Sequence, residues 1–503
     1  MTNERSTTVA PVLSAQGISK RYGGVQALDD VSIDFLPGEV HCIAGENGCG
    51  KSTLIKVISG AERADSGTIT VDEVSHARMS TTSAITSGIQ VIYQDFSLFP
   101  NLTVAENIVI TSHVAAGRRL NRPSTARPRA RAIVDDLGID LDLDAELGRL
   151  SVADRQLTAI CRALVNDARV IIMDEPTTAL THTEVDRLFA IVERLRARDV
   201  ALVFVSHKLE EVLAISQRLT IMRSGRVTAS APTSTYTRAS IAESMTGQEI
   251  DESRIVQAVP EDSPVRLRVD NLTLPGAFHD VSFSVRSGEI LGITGLLGSG
   301  RTEIAESIFG VHPAQSGEIA VDGARVVIAG IPDAVSAGLA YVPEDRLTQG
   351  LFLEKSISDN IIASSFARFR SPRLTLDGAR IAKTVNRLFD ALKIKAPNAD
   401  APVRSLSGGN AQRVVIAKWL ATEPKVLILN GPTVGVDVGS KAQLLGLLRE
   451  QADAGMAIVV ISDDAPELVS CCHRVLVVSR GRISQELTGD GISTAALREG
   501  MAA

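Results

Sequence analysis

The chain has 503 residues, which is longer than one hydrophobic core usually needs and predicts two or more domains. Its 59 acidic residues outnumber the 52 basic ones, so no nucleic-acid partner is expected, because such surfaces normally carry a basic excess. No stretch approaches the roughly 18 apolar residues that cross a bilayer, and the polar N-terminus predicts no signal peptide. The five cysteines lack zinc-type spacing, which predicts reduced and mostly buried thiols.

The sequence contains an internal repeat. GEVHCIAGENGCGKSTLI, which begins at Gly38, returns as GEILGITGLLGSGRTEIA, which begins at Gly288. SVADRQ, beginning at Ser151, and SGGNAQ, beginning at Ser407, also match, as do VIIMDEPTTAL and VLILNGPTVGV. A repeat of this length predicts two homologous domains. The predicted segments are a flexible N-terminus at 1–11, a first domain at 12–246, a linker at 247–263 and a second domain at 264–500.

Each copy alternates short apolar runs with glycine-rich turns and helical patterns. The run at 40–44, for example, leads directly into Gly45. This order is typical of an α/β fold in which helices cover a mainly parallel sheet. Between residues 103 and 148 the periodicity favours helices, and we expect a helical subdomain there.

The first copy carries a phosphate-binding loop. Its sequence GENGCGKST fits G-x-x-x-x-G-K-[ST] and lies between a predicted strand and a predicted helix, the context that the motif requires. Glycines let backbone N–H groups turn toward phosphate oxygens, Lys51 supplies a positive charge, and the Ser52 hydroxyl can bind Mg²⁺. The predicted ATP-binding loop comprises Gly45, Glu46, Asn47, Gly48, Cys49, Gly50, Lys51, Ser52 and Thr53. Cys49 either contributes only its backbone or presents a thiol whose alkylation would inhibit.

Two adjacent carboxylates follow a second apolar run. Residues 170–173 predict a buried strand that ends in Asp174 and Glu175. Two such groups would be costly to bury without a metal or a catalytic task. Asp174 therefore suits the Mg²⁺ shell, and Glu175 suits the general base that polarises the attacking water.

These motifs, together with LSVADRQ and SHKLEE, resemble the ATP-binding-cassette family in their type and order. The resemblance implies two tandem P-loop NTPase domains, each with a mainly parallel sheet core, an antiparallel β part and a helical subdomain. It implies ATP and Mg²⁺ as ligands. It also implies that Gln94 is a catalytic residue and Mg²⁺ ligand, that His207 senses the γ-phosphate, and that Tyr22 stacks on adenine.

The second copy has lost several of these residues. Arg301 replaces the lysine of the phosphate loop, and Asn430-Gly431 replaces the acidic pair. Arginine is a planar fork rather than a point charge, asparagine is a weaker Mg²⁺ partner, and glycine cannot polarise water. The residues assigned to this degenerate site are Gly295, Gly298, Gly300, Arg301, Thr302, Glu344, Asn430, Gly431, Asp463 and, from the first copy, Ser151.

In the family, each site combines the phosphate loop of one cassette with the LSGGQ-type loop of the other. The second copy keeps Ser407, Gly408 and Gly409 in this loop, whereas the first has Val152 and Ala153 in place of the glycines. The resemblance therefore implies that the intact phosphate loop faces the intact LSGGN loop. One complete site and one degenerate site are expected.

The tandem layout, the arginine phosphate loop, the PEDR sequence at 343–346 and LSGGN resemble the monosaccharide-importer branch. Membership implies a peripheral ATPase subunit on the cytoplasmic face of the cell membrane, docked on two copies of a permease. An external solute-binding protein would act indirectly. The alternative is a tandem-cassette ATPase acting on ribosomes, which usually carries a long basic linker and two intact sites. Here the linker is short and acidic.

Overall fold

The computed structural model describes residues 10–76, 78–93, 95–115, 123–177, 180, 182–206, 208–247, 259–370 and 375–502. The chain forms two compact units, Met1–Ile250 and Asp251–Ala503. Most of the segments predicted as a flexible N-terminus and a linker lie outside the described residues, as do Gln94 and His207. Within the described ranges, no helix combines the length and apolar character that crossing a membrane requires.

The first unit alternates strands and helices along most of its length. Its strands are β1 Leu13–Tyr22, β2 Val25–Phe35, β3 Val40–Gly45, β4 Ser66–Val71, β5 Val74–His76, β6 Ile89–Ile92, β7 Val170–Asp174, β8 Ala201–Val205, β9 Arg218–Arg223 and β10 Arg226–Pro232. Its α-helices are α1 Lys51–Ile58, α2 Thr81–Thr86, α3 Val104–Ala115, α4 Pro123–Leu137, α5 Val152–Leu164, α6 His182–Arg196, α7 Leu209–Ile215 and α8 Arg238–Thr246, with 3₁₀ turns at Leu147–Arg149 and Thr233–Thr235.

The first unit contains two sheets. One is antiparallel, with the order β2-β1-β4-β5. The other has the order β10-β9-β3-β8-β7-β6 and is parallel except for β10 at its edge. The helices α3 and α4 lie in the segment whose periodicity predicted helices. On α4, Ala126, Ala130, Val134 and Leu137 recur at helical spacing and are buried in one apolar cluster.

The second unit repeats this plan. Its strands are β11 Val265–Leu274, β12 Phe278–Arg286, β13 Ile290–Thr294, β14 Ser316–Val321, β15 Ala324–Val326, β16 Leu339–Val342, β17 Val426–Asn430, β18 Ala457–Ile461, β19 Arg474–Ser479 and β20 Arg482–Thr488. Its α-helices are α9 Arg301–Phe309, α10 Ile331–Ala337, α11 Ile357–Ile362, α12 Gly378–Ala391, α13 Gly408–Leu420, α14 Val438–Asp453, α15 Ala465–Cys471 and α16 Thr494–Ala502. A π-helical turn spans Arg346–Gly350, and 3₁₀ turns span Phe366–Phe369, Val403–Ser405 and Gly489–Gly491.

The sheets of the second unit have the same connectivity as those of the first. Their orders are β12-β11-β14-β15 and β16-β17-β18-β13-β19-β20, with β20 antiparallel to its neighbour. The predicted α/β class, with a mainly parallel core, an antiparallel part and helices, is thus confirmed for each unit.

Several candidate site residues lie at the carboxyl-terminal edge of the parallel sheet in the first unit. All residues of β3 and β8 are buried, as are the first four of β7. In the register, β3 ends at Gly45, while Asp174 of β7 pairs with Val205 of β8. Because the carboxyl ends of parallel strands meet at the same edge, the loops after β3, β7 and β8 lie together, where α/β sheets bind ligands.

Candidate nucleotide site

The phosphate loop of the first unit joins β3 to α1. Gly48 and Gly50 have positive φ angles of 80° and 109°. A Cβ at Gly50 would lie 2.5 Å from the Ala27 carbonyl oxygen, so only glycine fits there without displacing backbone. The helix α1 begins at the next residue, and the free N–H groups of its first turn favour an anion. Glu46 is half-buried and Asn47 exposed in the loop, while Ser52 and Thr53 belong to α1.

Lys51 is folded against its own loop. Its side chain is buried, and Nζ donates hydrogen bonds to the carbonyl oxygens of Gly45 at 2.7 Å and Glu46 at 2.9 Å. These bonds replace water around the buried ammonium group. The cation is therefore held at the mouth of the phosphate cradle.

Asp174 and Ser52 meet across the loop. The Ser52 hydroxyl is hydrogen-bonded to the Asp174 carboxylate, which is half-buried at the end of β7. Burial raises the pKa of Asp174, and the neighbouring Glu175 raises it further, whereas Lys51 and the Ser52 hydrogen bond act in the opposite direction. Burial and the neighbouring Glu175 thus both disfavour the ionised form of Asp174, which a bound cation would stabilise.

Glu175 has a left-handed backbone conformation, with φ of 49°. Its backbone N–H donates to the Val205 carbonyl oxygen at 2.9 Å, which holds the residue at the strand edge. A non-glycine residue with positive φ is uncommon and costs of the order of 1–3 kcal/mol. This strain lies at the residue to which the sequence assigns the general base.

An open cleft of about 420 Å³ lies beside the acidic pair and is lined by Tyr93, Asp95, Ser97 and Asp174. Gln94 lies between two of these residues in the sequence but outside the described ranges, and the same holds for His207. Tyr22 is the last residue of β1 and is 42% exposed, and the Lys20 Nζ atom lies 5.2 Å from the centroid of its ring. An exposed ring is available for stacking.

The Cys49 side chain is buried in the phosphate loop. Its Sγ atom lies 3.8 Å from the Lys51 Nζ atom. Burial raises the pKa of the Cys49 thiol even though Lys51 favours the thiolate. All five cysteines of the chain are buried and unbridged. The geometry favours the interpretation of Cys49 as a spacer.

The second unit keeps the cradle but changes the cation. Gly298 and Gly300 have φ angles of 80° and 99°, close to those in the first loop. Arg301 Nη1 donates to the Gly295 carbonyl oxygen at 2.7 Å, as Lys51 does in the first unit, and Thr302 follows on α9. The second guanidinium nitrogen lies 3.1 Å from Asp463 Oδ2.

The acidic pair is replaced by residues that make other contacts. Asn430 is buried, and its amide donates to the Tyr341 hydroxyl at 3.4 Å. Gly431 keeps a positive φ of 56°, but a Cβ there would lie 3.0 Å from Glu344 Cγ and 2.9 Å from Val434 Cγ2. The space beside Gly431 is thus already occupied.

The two LSGGQ-type loops differ in the serine hydroxyl. Ser151 Oγ donates to Asp154 Oδ2 at 2.8 Å and accepts from the Asp154 N–H. Ser407 Oγ instead accepts from Asn410 Nδ2 at 2.9 Å, which leaves its own proton for another acceptor. Gly408 and Gly409 begin α13, and a Cβ at Gly409 would lie 2.7 Å from Ser440 Cβ. Of these two loops, only that of the second unit therefore has a serine hydroxyl that is free to donate and has no carboxylate bonded to it.

Sequence reasoning missed several residues that shape these sites. It assigned no role to Asp154, although the S-x-x-D spacing is a known capping pattern. It also overlooked Glu211, which binds two hydroxyls beside the acidic pair and recurs in the repeat as Glu467. The repeat could have revealed them, because Glu211 follows Asp174 at the same spacing as Glu467 follows Asn430.

Fold and site define an ATP-binding-cassette ATPase that contains the cassette twice. The family model for ABC transporters matches residues 28–178 and again 278–434, and the chain belongs to this family.

Two curated relatives match nearly the whole chain. A ribose import ATP-binding protein of Streptomyces avermitilis is 43% identical over 97% of this chain and 96% of its own length. One of Bacillus subtilis is 39% identical over 94% of this chain and 96% of its own length. Among solved structures, a nucleotide-free ATP-binding cassette of an ABC transporter is 28% identical, with a TM-score of 0.40, over 44% of this chain and 91% of its own.

Proposed function

We propose that the chain is the ATP-hydrolysing, energy-coupling subunit of a sugar importer. One observation supports this proposal most directly. The carboxyl-terminal edge of the parallel sheet brings together Lys51, Ser52, Asp174 and Glu175. The relatives that match 94–97% of the chain are named as ribose import ATP-binding proteins, which favours ribose or a similar monosaccharide as the solute.

The first site suits Mg²⁺. Its donor set is a carboxylate hydrogen-bonded to a hydroxyl, oxygen ligands of the kind that Mg²⁺ prefers. The raised pKa of Asp174 supports this assignment, because a bound cation would stabilise its ionised form. Asp174 and Ser52 would hold the ion, and we assign Gln94 to the same shell. When bound, Mg²⁺ would neutralise negative charge on the phosphate oxygens.

The remaining residues of the first site divide the work of hydrolysis. Lys51 neutralises charge that builds on the phosphate oxygens, and the backbone N–H groups of the loop orient them. Glu175 accepts a proton from the attacking water, and His207 contacts the γ-phosphate. Tyr22 stacks on the adenine.

The second site lacks the groups needed for turnover. Its cradle keeps the glycine angles of the first, but Asn430 carries no charge for Mg²⁺ and Gly431 has no group to polarise water. Glu344 and Asp463 stand in place of Gln94 and His207. We therefore propose one hydrolytic site per chain.

We further propose that each site is shared between the cassettes, which span residues 12–246 and 264–500. Ser407, Gly408 and Gly409 would complete the hydrolytic site, because the Ser407 proton is not taken by a carboxylate. Ser151 would face the degenerate site, where the adjacent Asp154 carboxylate would repel a phosphate.

The proposed partners are a membrane permease, in two copies, and indirectly a solute-binding protein. The proposed location is the cytoplasmic face of the cell membrane. ATP binding would close the cassettes and hydrolysis would reopen them, which biases a two-state permease.

Reconstitution tests this function. The chain is purified with its permease, placed in liposomes with the cognate solute-binding protein, and supplied with labelled ribose. We expect ATP-dependent uptake with the wild-type chain and none with Glu175→Gln. Failure of the chain to bind the permease, or uptake that is insensitive to the substitution, would contradict the proposal. Labelled xylose and galactose identify the solute if ribose is not transported.

A further inference from the structure

A half-buried glutamate links two of the loops that form the first site. Glu211 lies on α7, with its side chain 13% exposed. Its Oε2 atom accepts hydrogen bonds from Thr177 Oγ1 at 2.5 Å and from Ser206 Oγ at 3.3 Å. Thr177 and Ser206 are 1% and 2% exposed, so water cannot readily replace the carboxylate as their partner.

Lys208 closes the cluster from the other side. Its Nζ atom lies 3.1 Å from Glu211 Oε1 and donates to the Thr177 carbonyl oxygen at 3.2 Å. Its backbone N–H donates to Ser206 Oγ at 3.0 Å. The loop after β7 and the loop after β8 are therefore joined through one carboxylate and one ammonium group.

The two loops carry the groups proposed for hydrolysis. Thr177 is two residues after Glu175, and Ser206 and Lys208 flank position 207 in the sequence. We infer that Glu211 is a positioning residue, which fixes the loop that carries the general base relative to the loop that carries His207. This inference rests on the function proposed above. Its physical basis is that catalytic groups lose much of their effect when displaced by about 1 Å.

The second unit repeats the hydroxyl–carboxylate bonds of the cluster, but Asp464 stands in place of Lys208 and the proposed catalytic groups are replaced. Glu467 is 1% exposed, and its Oε2 atom accepts from Ser462 Oγ at 2.6 Å, while Thr433 also hydrogen-bonds to its side chain. Gly431 and Asp463 occupy the positions of Glu175 and His207. The chain thus contains a matched control, in which the same hydrogen bonds support a loop pair without a general base.

The test compares equivalent substitutions in the two units of the full-length chain. Glu211→Ala should lower kcat for ATP hydrolysis roughly 10- to 100-fold and leave KM for ATP within about twofold. Glu467→Ala should leave kcat within about twofold, although it removes the two equivalent hydroxyl–carboxylate bonds. Glu211→Gln retains an acceptor for the two hydroxyls and should recover most of the lost rate.

A second pair of substitutions is less disruptive and tests the same role if the alanine variants fail to fold. Thr177→Val deletes only the 2.5 Å hydrogen bond, and Thr433→Val is its equivalent in the second unit. Only the first is expected to lower kcat, by roughly 3- to 10-fold for one lost bond. Equal losses in both units, or a rise in KM that accounts for the loss, would overturn the inference. Glu175→Gln is measured in parallel: if it remains active, the proposed site itself has failed, whereas an inactive Glu175→Gln with an unaffected Glu211→Ala refutes only the positioning role.

Discussion

Arg301 and Asp463 form an ion pair at 3.1 Å between Nη2 and Oδ2 in the second unit. They stand in place of Lys51 and His207 of the first unit. The two replacements therefore compensate each other, because the Asp463 carboxylate pairs with the guanidinium group that would otherwise contact a phosphate.

This pair predicts that Asp463 weakens nucleotide binding at the second site. In a chain whose first site is disabled by Lys51→Ala, Asp463→Asn should bind ATP roughly 3- to 10-fold more tightly. The Asp463 partner of the pair is solvent-exposed, so the pair is worth up to about 1 kcal/mol, and the substitution also removes a negative charge that would repel the phosphates. The measurement is a titration with a fluorescent ATP analogue. Asp490→Asn, which removes an exposed charge from the same unit, is the control, and equal affinity in both variants would contradict the role of the pair.

The two serine hydroxyls predict opposite outcomes for one substitution. Ser407→Ala should lower ATP turnover roughly 10²-fold, as removal of a donor to a developing charge does in other sites. Ser151→Ala should leave turnover within about twofold, because that hydroxyl already donates to Asp154. Steady-state hydrolysis assays distinguish the variants. A larger loss from Ser151→Ala would reverse the proposed pairing of the loops.

Cys49 should be slow to react. Its side chain is 4% exposed, and burial raises the pKa of its thiol. Alkylation by N-ethylmaleimide should therefore be at least roughly tenfold slower in the native chain than in denaturant, since the thiolate is the nucleophile. Mass spectrometry of the loop peptide measures the rate. Rapid inhibition that MgATP prevents and Cys49→Ser abolishes would show instead that the thiol is accessible.

Lys418 makes the stability of the second unit pH-dependent. It is buried, donates to the Gly350 carbonyl oxygen at 2.6 Å, and burial lowers its pKa to about 8. In the unfolded chain the Lys418 side chain has the ordinary pKa of about 10.4. Below pH 8 the native state therefore holds a buried charge at a cost in stability. Between pH 8 and pH 10 the native state loses this proton while the unfolded chain keeps it, so the free energy of unfolding rises with pH. The cost is about 3 kcal/mol.

Substitution by methionine tests this dependence. The difference in free energy of unfolding, Lys418→Met minus wild type, should fall between pH 8 and pH 10. Trp419, the only tryptophan of the chain, provides the fluorescence signal, with its ring centroid 5.1 Å from the Lys418 Nζ atom. A difference that does not change with pH would contradict the lowered pKa.

The fold and the first site could be anticipated because their signals are local. The phosphate loop, the strand before it and the helix after it are contiguous, and the strand that ends in Asp174 is an unbroken apolar run. The pairing of Arg301 with Asp463 spans 162 residues and depends on how β13 and β18 align in the sheet. Such partners cannot be predicted from spacing, whereas the equivalence of Glu211 and Glu467 could have been found from the repeat.

We expect only the first cassette to hydrolyse ATP. Steady-state phosphate release by the full-length chain, measured for Glu175→Gln and Gly431→Glu, tests it most directly. Glu175→Gln should abolish turnover, and Gly431→Glu should add almost nothing to the wild-type rate or to the Glu175→Gln background, because Glu344 and Val434 crowd the new side chain and Asn430 still precedes it. Wild-type turnover in Glu175→Gln would contradict the account.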